Sequence, residues 1–177
     1  HDGGVVELAT ASTDADKGPQ LQWSKETFKA AANHVLIFEA RLNLQTSVTA
    51  QFFAGLSVLD TTLFGSGENT SADHIGFEMN ATTIAATAGR AIFVSEVGGT
   101  RTTTAAVHDF VLGEWVNLGF RVNGIRDIEC YVNNTRVGVQ SVAPTLTEVT
   151  PSFLCLGETS QPKLRIDEML VARWVRG

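Results

Sequence analysis

The stretch His34-Val35-Leu36-Ile37-Phe38-Glu39-Ala40-Arg41-Leu42 decides the fold class. Leu36, Phe38, Ala40 and Leu42 share one parity, and Glu39 and Arg41 take the other. Successive side chains of an extended strand point to opposite faces, so this alternation makes one apolar and one polar face. Residues 49–59 repeat the pattern, with Phe52, Ala54, Leu56 and Val58 set against Phe53, Gly55 and Ser57.

Outward from these two runs the chain is a series of short segments broken by Gly, Asn and Asp. Further strands are predicted over residues 5–10, 21–23, 27–30, 75–79, 91–97, 100–107, 115–122, 126–132, 152–156 and 164–174. Gly98-Gly99 and Asn123-Gly124 mark two-residue hairpin turns, because these residues tolerate positive φ, and Asn133-Asn134 marks a third. Gly65 to Asp73 is a loop by composition. Residues 24–32 could begin as a helix capped by Ser24. So short a helix is marginal, and a strand with its turn is the stronger reading. Ten or more strands do not stay flat in one small domain. They split into two layers and bury their alternate faces, with the phenylalanines between them. The predicted fold is an all-β, antiparallel two-sheet β-sandwich. Residues 21–177 form its single domain, and residues 1–20 precede it as an arm or opening strand.

Composition agrees. The chain has 177 residues, 44% of them apolar and 18% charged, enough to bury roughly 70% of its unfolded surface without a metal or disulfide. Threonine and valine are plentiful, and their branched side chains favour pleated surfaces. A net charge of −6 with only four lysines argues against nucleic acid, whose phosphates attract basic proteins. No run reaches the roughly 18 apolar residues of a membrane span. No leader pattern is legible, and the opening on His1 is compatible with removal of upstream residues. Cys130 and Cys155 each sit in an apolar run and read as small buried hydrophobes rather than a disulfide pair.

Chemistry is harder to find. Sandwich glycosidases need two carboxyl groups about 5–5.5 Å apart, and residues i and i+2 of one strand can supply them. No E-x-D-x-x-E run occurs. Asp127-Ile128-Glu129 places two acids on one face, and a solvated strand face is the preferred reading. Asp167 and Glu168 should point to opposite faces, Glu39 has Arg41 as its same-face neighbour, and Glu96 stands alone. His1, His34, His74 and His108 lack metal-binding spacing. Asp73-His74 near Glu78 could be drawn as a site, although a loop followed by a strand accounts for it. Asp60, Glu68, Asn69 and Asp73 could donate oxygens to calcium, but without a fixed spacing they read as solvated loop residues. Asn69, Asn80 and Asn133 begin tripeptides of the glycosylation pattern. Trp23, Trp115, Tyr131 and Trp174 are the candidate sugar platforms. Trp115, Tyr131 and Trp174 lie in strand patterns that predict core or inter-sheet packing. No catalytic, cofactor-binding or metal residue is assigned, and no cofactor is expected.

Several of these segments resemble one family. Phe28 to Leu42, with Leu36, Phe38, Glu39, Ala40 and Arg41 in place, is similar to the F-x₇-L-x-F-E-A-R block of concanavalin A-like (LamG-like) jelly-roll structural proteins of tailed bacteriophages. Gly55-Leu56, Ile75-Gly76-Phe77, the hairpin residues Arg101-Thr102-Thr103-Thr104, Trp115-Val116-Asn117-Leu118-Gly119-Phe120, Tyr131-Val132-Asn133-Asn134 and Ile166-Asp167-Glu168-Met169-Leu170-Val171 follow in the family's order. Asn134 replaces the usual Gly of a turn, a conformation Asn tolerates. The match runs from about residue 20 to the end.

The resemblance implies a concanavalin A-like jelly roll that is not an enzyme. It implies a virion protein on the capsid exterior, a decoration or cement subunit, often a trimer, that bridges major capsid proteins, with neither nucleic acid nor membrane as partner. The N-terminal residues are a plausible arm toward neighbours. A carbohydrate-binding module of a phage tail, spike or secreted protein, with a glycan as ligand, is the alternative. An unrecognised enzyme or a laminin G-like module is more remote.

Overall fold

Strand alternation becomes two stacked sheets in the computed structural model of the chain, which describes residues 4–10, 17–46, 49–65, 68–69, 73–80, 89–141, 147–157 and 161–175. Among the described residues fourteen strands follow one another. They are β1 (Val6–Ala9), β2 (Gln20–Gln22), β3 (His34–Gln45), β4 (Gln51–Ser57), β5 (Phe64–Gly65), β6 (Glu68–Asn69) and β7 (His74–Met79). After them come β8 (Arg90–Val97), β9 (Thr100–Asp109), β10 (Trp115–Asn123), β11 (Asp127–Val132), β12 (Thr135–Gln140), β13 (Thr150–Leu156) and β14 (Lys163–Val175). Sheet I has the order β1-β14-β3-β10-β11-β12, and sheet II the order β2-β13-β4-β7-β8-β9. All pairings are antiparallel. No helix occurs among the described residues. Residues 24–32 form neither the helix nor the predicted strand over 27–30: Ser24 and Lys25 bend, Phe28 makes an isolated bridge to Val149, and Ala32 enters a turn.

The core lies between the sheets and is built largely from phenylalanine. Phe38 and Phe120 of sheet I stack at 5.2 Å, and they meet Phe153 and Phe93 of sheet II at 6.0 and 5.6 Å. Leu36, Leu42, Leu118, Phe52, Leu56 and Phe77 complete the same buried cluster. Cys130 and Cys155 are free and buried within it.

Sheet II is covered on its outer side too. Phe53, Leu63, Leu154 and Leu156 form a second buried cluster there, and β4, β7 and β13 are therefore buried on both faces. Among the described residues nothing covers the outer side of sheet I in this way, and its central strands present a broad surface there.

Two turns follow prediction. Gly98 and Gly99 have φ of 56° and 77°, and Asn133 and Asn134 have 47° and 64°, as two-residue hairpins require. The β10–β11 turn differs. Asn123 stays in the ladder opposite Asp127 because its side-chain amide donates to Asp127 Oδ1 at 2.5 Å. The loop is therefore three residues, with Gly124 at φ 67°. The predicted loop from Gly65 to Asp73 also contains a strand, since Glu68 and Asn69 pair with Gly65 and Phe64.

Candidate functional site

The outer face of sheet I gathers polar and aromatic side chains on its central strands. Ile37, Glu39 and Arg41 of β3 alternate with inward Leu36, Phe38 and Ala40. Trp115, Asn117, Gly119 and Arg121 of β10 do the same against Val116, Leu118 and Phe120. On β11, Asp127, Glu129 and Tyr131 face out while Ile128, Cys130 and Val132 face in. A hollow of about 260 Å³ lies over Gly119, walled by Glu39, Asn117, Arg121, Tyr131 and Asn134. Glu39 and Asn117 also border a second hollow of about 530 Å³ toward Arg41, Asp167 and Glu168.

The carboxylates of this face are mostly engaged. Asp127 accepts from Asn123. Glu129 accepts from Tyr131 Oη at 3.0 Å, Arg136 at 3.1 Å and Asn123 at 3.3 Å. Burial acts to raise the Glu129 pKa, but these hydrogen bonds outweigh it and hold the carboxyl below its ordinary value. A carboxyl shifted in this direction favours the anion, whereas the general acid of a glycosidase pair needs its pKa raised. Burial, then the bond to Glu129, raises the Tyr131 hydroxyl. Asp167 and Glu168 do not point to opposite faces as predicted. A bulge between Ile166 and Glu168 inserts Asp167 as an extra residue, so both acids border one hollow. Arg41 donates to Asp167 at 2.8 Å and lies 5.1 Å over the Trp115 ring.

Glu96 is not isolated either. The Gly98-Gly99 turn sets Arg101 opposite it in the ladder, and Arg101 bonds Glu96 at 3.3 Å and also pairs with Glu78. His74 and Glu78, four residues apart and of the same parity on β7, are both fully buried beside this arginine. His74 Nε2 lies 4.0 Å from Glu96, and its ring meets Phe53 edge-on. Asn80 donates to Glu78 at 2.8 Å and is buried, so it is no glycosylation acceptor, whereas Asn133 sits on an exposed turn. Asp73-His74…Glu78 is a loop residue followed by strand β7, as predicted, and His74 and Glu78 also join Glu96 and Arg101 in a part-buried ionic cluster under the outer side of sheet II. Only its third and fourth members, Glu96 and Arg101, were invisible, because a hairpin register brings them in.

Among the described residues no group of three His, Cys, Asp or Glu side chains could hold a metal. Of the calcium candidates, Asp60 caps Thr62 N at 2.8 Å. Asp73 accepts from Gly98 N, Thr147 N and Thr147 Oγ1 at 3.0, 3.0 and 2.7 Å. The side chains of Glu68 and Asn69 lie outside the described residues, as do His1 and residues 11–16 of the predicted arm. His34 lies in β3 and bonds the Ala32 carbonyl at 2.9 Å. His108 packs edge-on against Phe110 at 4.9 Å, and burial lowers its pKa.

The aromatic residues depart from expectation. Trp115, Tyr131 and Trp174 do not pack in the core. All three share the outward parity of sheet I, and Trp174 is 44% exposed. Their parity with Asn117, Glu129 and Ala172 carried that information. Trp23, 46% exposed, lies at the mouth between β1, β2 and β14 with Val6 and Leu21. The same mouth reaches inward to Phe153, Ile166 and Met169.

Two six-stranded antiparallel sheets in this strand order match known folds. An endo-1,3-β-glucanase from Streptomyces sioyaensis superposes with a TM-score of 0.62 at 12% identity, over 96% of this chain and 76% of that one. The alginate lyase AlyC3 superposes at 0.58 and 10% identity, over 96% and 74%. A Bacteroides ovatus mixed-linkage glucan GH16 protein, in complex with its G4G4G3G product, does so at 0.62 and 10%, over 97% and 82%. The fold is a concanavalin A-like jelly roll. No family model and no curated protein matches the chain. At such identities the likeness carries the jelly roll alone, and the function must be argued from its surfaces.

Proposed function

We propose that this jelly roll binds and scaffolds rather than catalyses, and that it serves on the capsid exterior of a tailed phage as a decoration subunit bridging major capsid proteins. One observation carries the reading. Val6, Leu21 and Trp23 leave an apolar mouth open between the sheet edges, continuous with the core residues Phe153, Ile166 and Met169. Contiguous exposed apolar surface marks contact sites, and an aromatic anchor such as Trp23 is what interfaces concentrate. The family motifs quoted above favour a virion setting for that contact. A standard contact buries roughly 1,600 Å², and many symmetric copies, trimers included, turn modest contacts into high avidity.

The test is co-sedimentation of the purified chain with expanded capsid shells of its phage, followed by a map of the decorated particle. Saturable binding at fixed surface positions is expected, weakened at least tenfold by Leu21→Ser with Trp23→Ser. Absence of the chain from purified particles, together with no binding to shells, overturns the proposal.

A second reading is carbohydrate binding, which the hollow over Gly119 favours. The solved structures of similar fold include proteins named for glucans and alginate. A decoration subunit could carry such a site outward without conflict.

A further inference from the structure

Glu39, Gly119 and Tyr131 stand in one row across β3, β10 and β11, because Gly119 pairs with Glu39 on one side and Tyr131 on the other. Along β10 the outward neighbours of Gly119 are Asn117 and Arg121. The residue without a side chain is framed on four sides. Strand spacing and rise make the frame about 10 Å across and about 13 Å along. Gly119 is not in the left-handed region, so its conformation does not call for glycine. A Cβ there would stand in the floor of the hollow, 3.2 Å from the Phe38 carbonyl oxygen and 3.7 Å from the Glu39 stem.

The frame also holds hydrogen-bonding capacity that the fold leaves unused. Among the described residues the side chains of Glu39, Asn117, Arg121 and Asn134 make no hydrogen bond, and the Arg121 Nε is buried without an acceptor. Their neighbours on the same face differ: Asp127, Glu129, Arg41 and Asp167 are all bonded within the protein. A buried donor left unpaired is costly, so the Arg121 Nε, beside a hollow lined by Tyr131 and Ile37 and ringed by the solvent-accessible Glu39, Asn117 and Asn134, points to a polar ligand. The Tyr131 ring is held in place by its bond to Glu129.

The chemistry of the groups selects the ligand. A carboxylate only accepts, a guanidinium only donates, and an amide does both. An anion would face Glu39, and a cation would face Arg121. Hydroxyls donate and accept, and a ring that carries several of them can satisfy all four groups while one face lies on Tyr131. We infer that the hollow over Gly119 binds one neutral pyranose unit of a glycan, with Glu39, Asn117, Arg121 and Asn134 as its hydrogen-bonding partners. The inference rests on the carbohydrate-binding reading above and adds to it the place and the sugar class.

The experiment is a glycan array carrying neutral and acidic glycans, probed with the purified chain, then calorimetric titration of the strongest glycan. Glu39→Gln and Asn117→Ala are compared with Arg90→Ala on sheet II, after matching melting curves show that each variant folds. Neutral glycans should be retained, with affinity reduced at least tenfold by Glu39→Gln and by Asn117→Ala and unchanged by Arg90→Ala. Glycan binding indifferent to both groove variants overturns the site but leaves the carbohydrate reading standing. Selective retention of uronate- or sialate-bearing glycans overturns the neutral class. Retention of no glycan overturns both the site and the reading.

Discussion

Asp73 fastens three segments with one carboxylate. It accepts from Gly98 N in the β8–β9 turn and from the amide and hydroxyl of Thr147 ahead of β13. Burial would raise its pKa, yet these bonds outweigh burial and leave it below the ordinary carboxylate value. A carboxyl depressed in the folded state stabilises the fold fully above its unfolded pKa, about 3.9. That contribution is lost as the pH falls through the lower folded value. Urea unfolding of the wild type should therefore show stability dropping on acidification below about pH 4. Asp73→Asn should be less stable at pH 7 by about 1–2 kcal/mol, and the gap between the two proteins should narrow as the pH falls below about 4. A gap of constant size from pH 7 to pH 2 would show that the ionised carboxylate is not what holds these segments. Glu7 and Asp109, also depressed by their arginine partners, are too exposed to shape this profile.

At the scale of elements, the β4–β7 pair is a tight joint. Gly55 and Gly76 stand directly opposite each other. A Cβ on Gly55 would come 2.2 Å from the Ile75 carbonyl oxygen and 2.6 Å from the Gly76 Cα. Both are backbone atoms, so the strands themselves would have to separate. Gly55→Ala should cost about 3 kcal/mol by overpacking, read as a lower denaturant midpoint. A shift well under 1 kcal/mol would mean that the ladder relaxes freely there. The alternation of Leu36, Phe38, Ala40 and Leu42 made β3 legible, and the same logic located β10 and β11, because one face of each meets water. At β4 it located the strand and its inward face but not the burial of the other face, where Phe53 and Gly55 are buried as fully as Phe52 and Ala54. The cover comes from Leu63, Leu154 and Leu156, and a distant loop and strand leave no local periodicity. The bulge at Asp167 was illegible for a similar reason, since one extra residue resets parity without changing composition. Of the candidate site, Glu39 and Arg41 were readable as a shared face. Their meeting with Gly119 and Tyr131 depends on β3–β10–β11 register, which no single strand specifies.

For the whole molecule, the open question of energetics is whether two sheets joined through a phenylalanine-rich core, and at one side through Gln140 of sheet I bonded to Ser95 of sheet II, open together or apart. The chain carries its own reporters. Cys130 belongs to sheet I and Cys155 to sheet II, both point into the shared core, and both are fully buried. Burial pushes their thiols up to about 11 and about 12. The thiolate is the reactive form, so neither sulfur should react with a disulfide reagent at pH 8 while the sandwich is closed. The inner faces interdigitate through Phe38, Phe93, Phe120 and Phe153, and no sheet can leave without exposing the other's rings. Labelling should therefore proceed through one cooperative opening. The two thiols should modify at the same rate, and that rate should rise with urea in step with global unfolding. Peptide mapping of partly labelled protein tests this directly. Early modification of Cys155 alone would mean that sheet II, or its β2–β13 side, opens as a separate unit, and the single shared core would no longer describe the energetics of this sandwich.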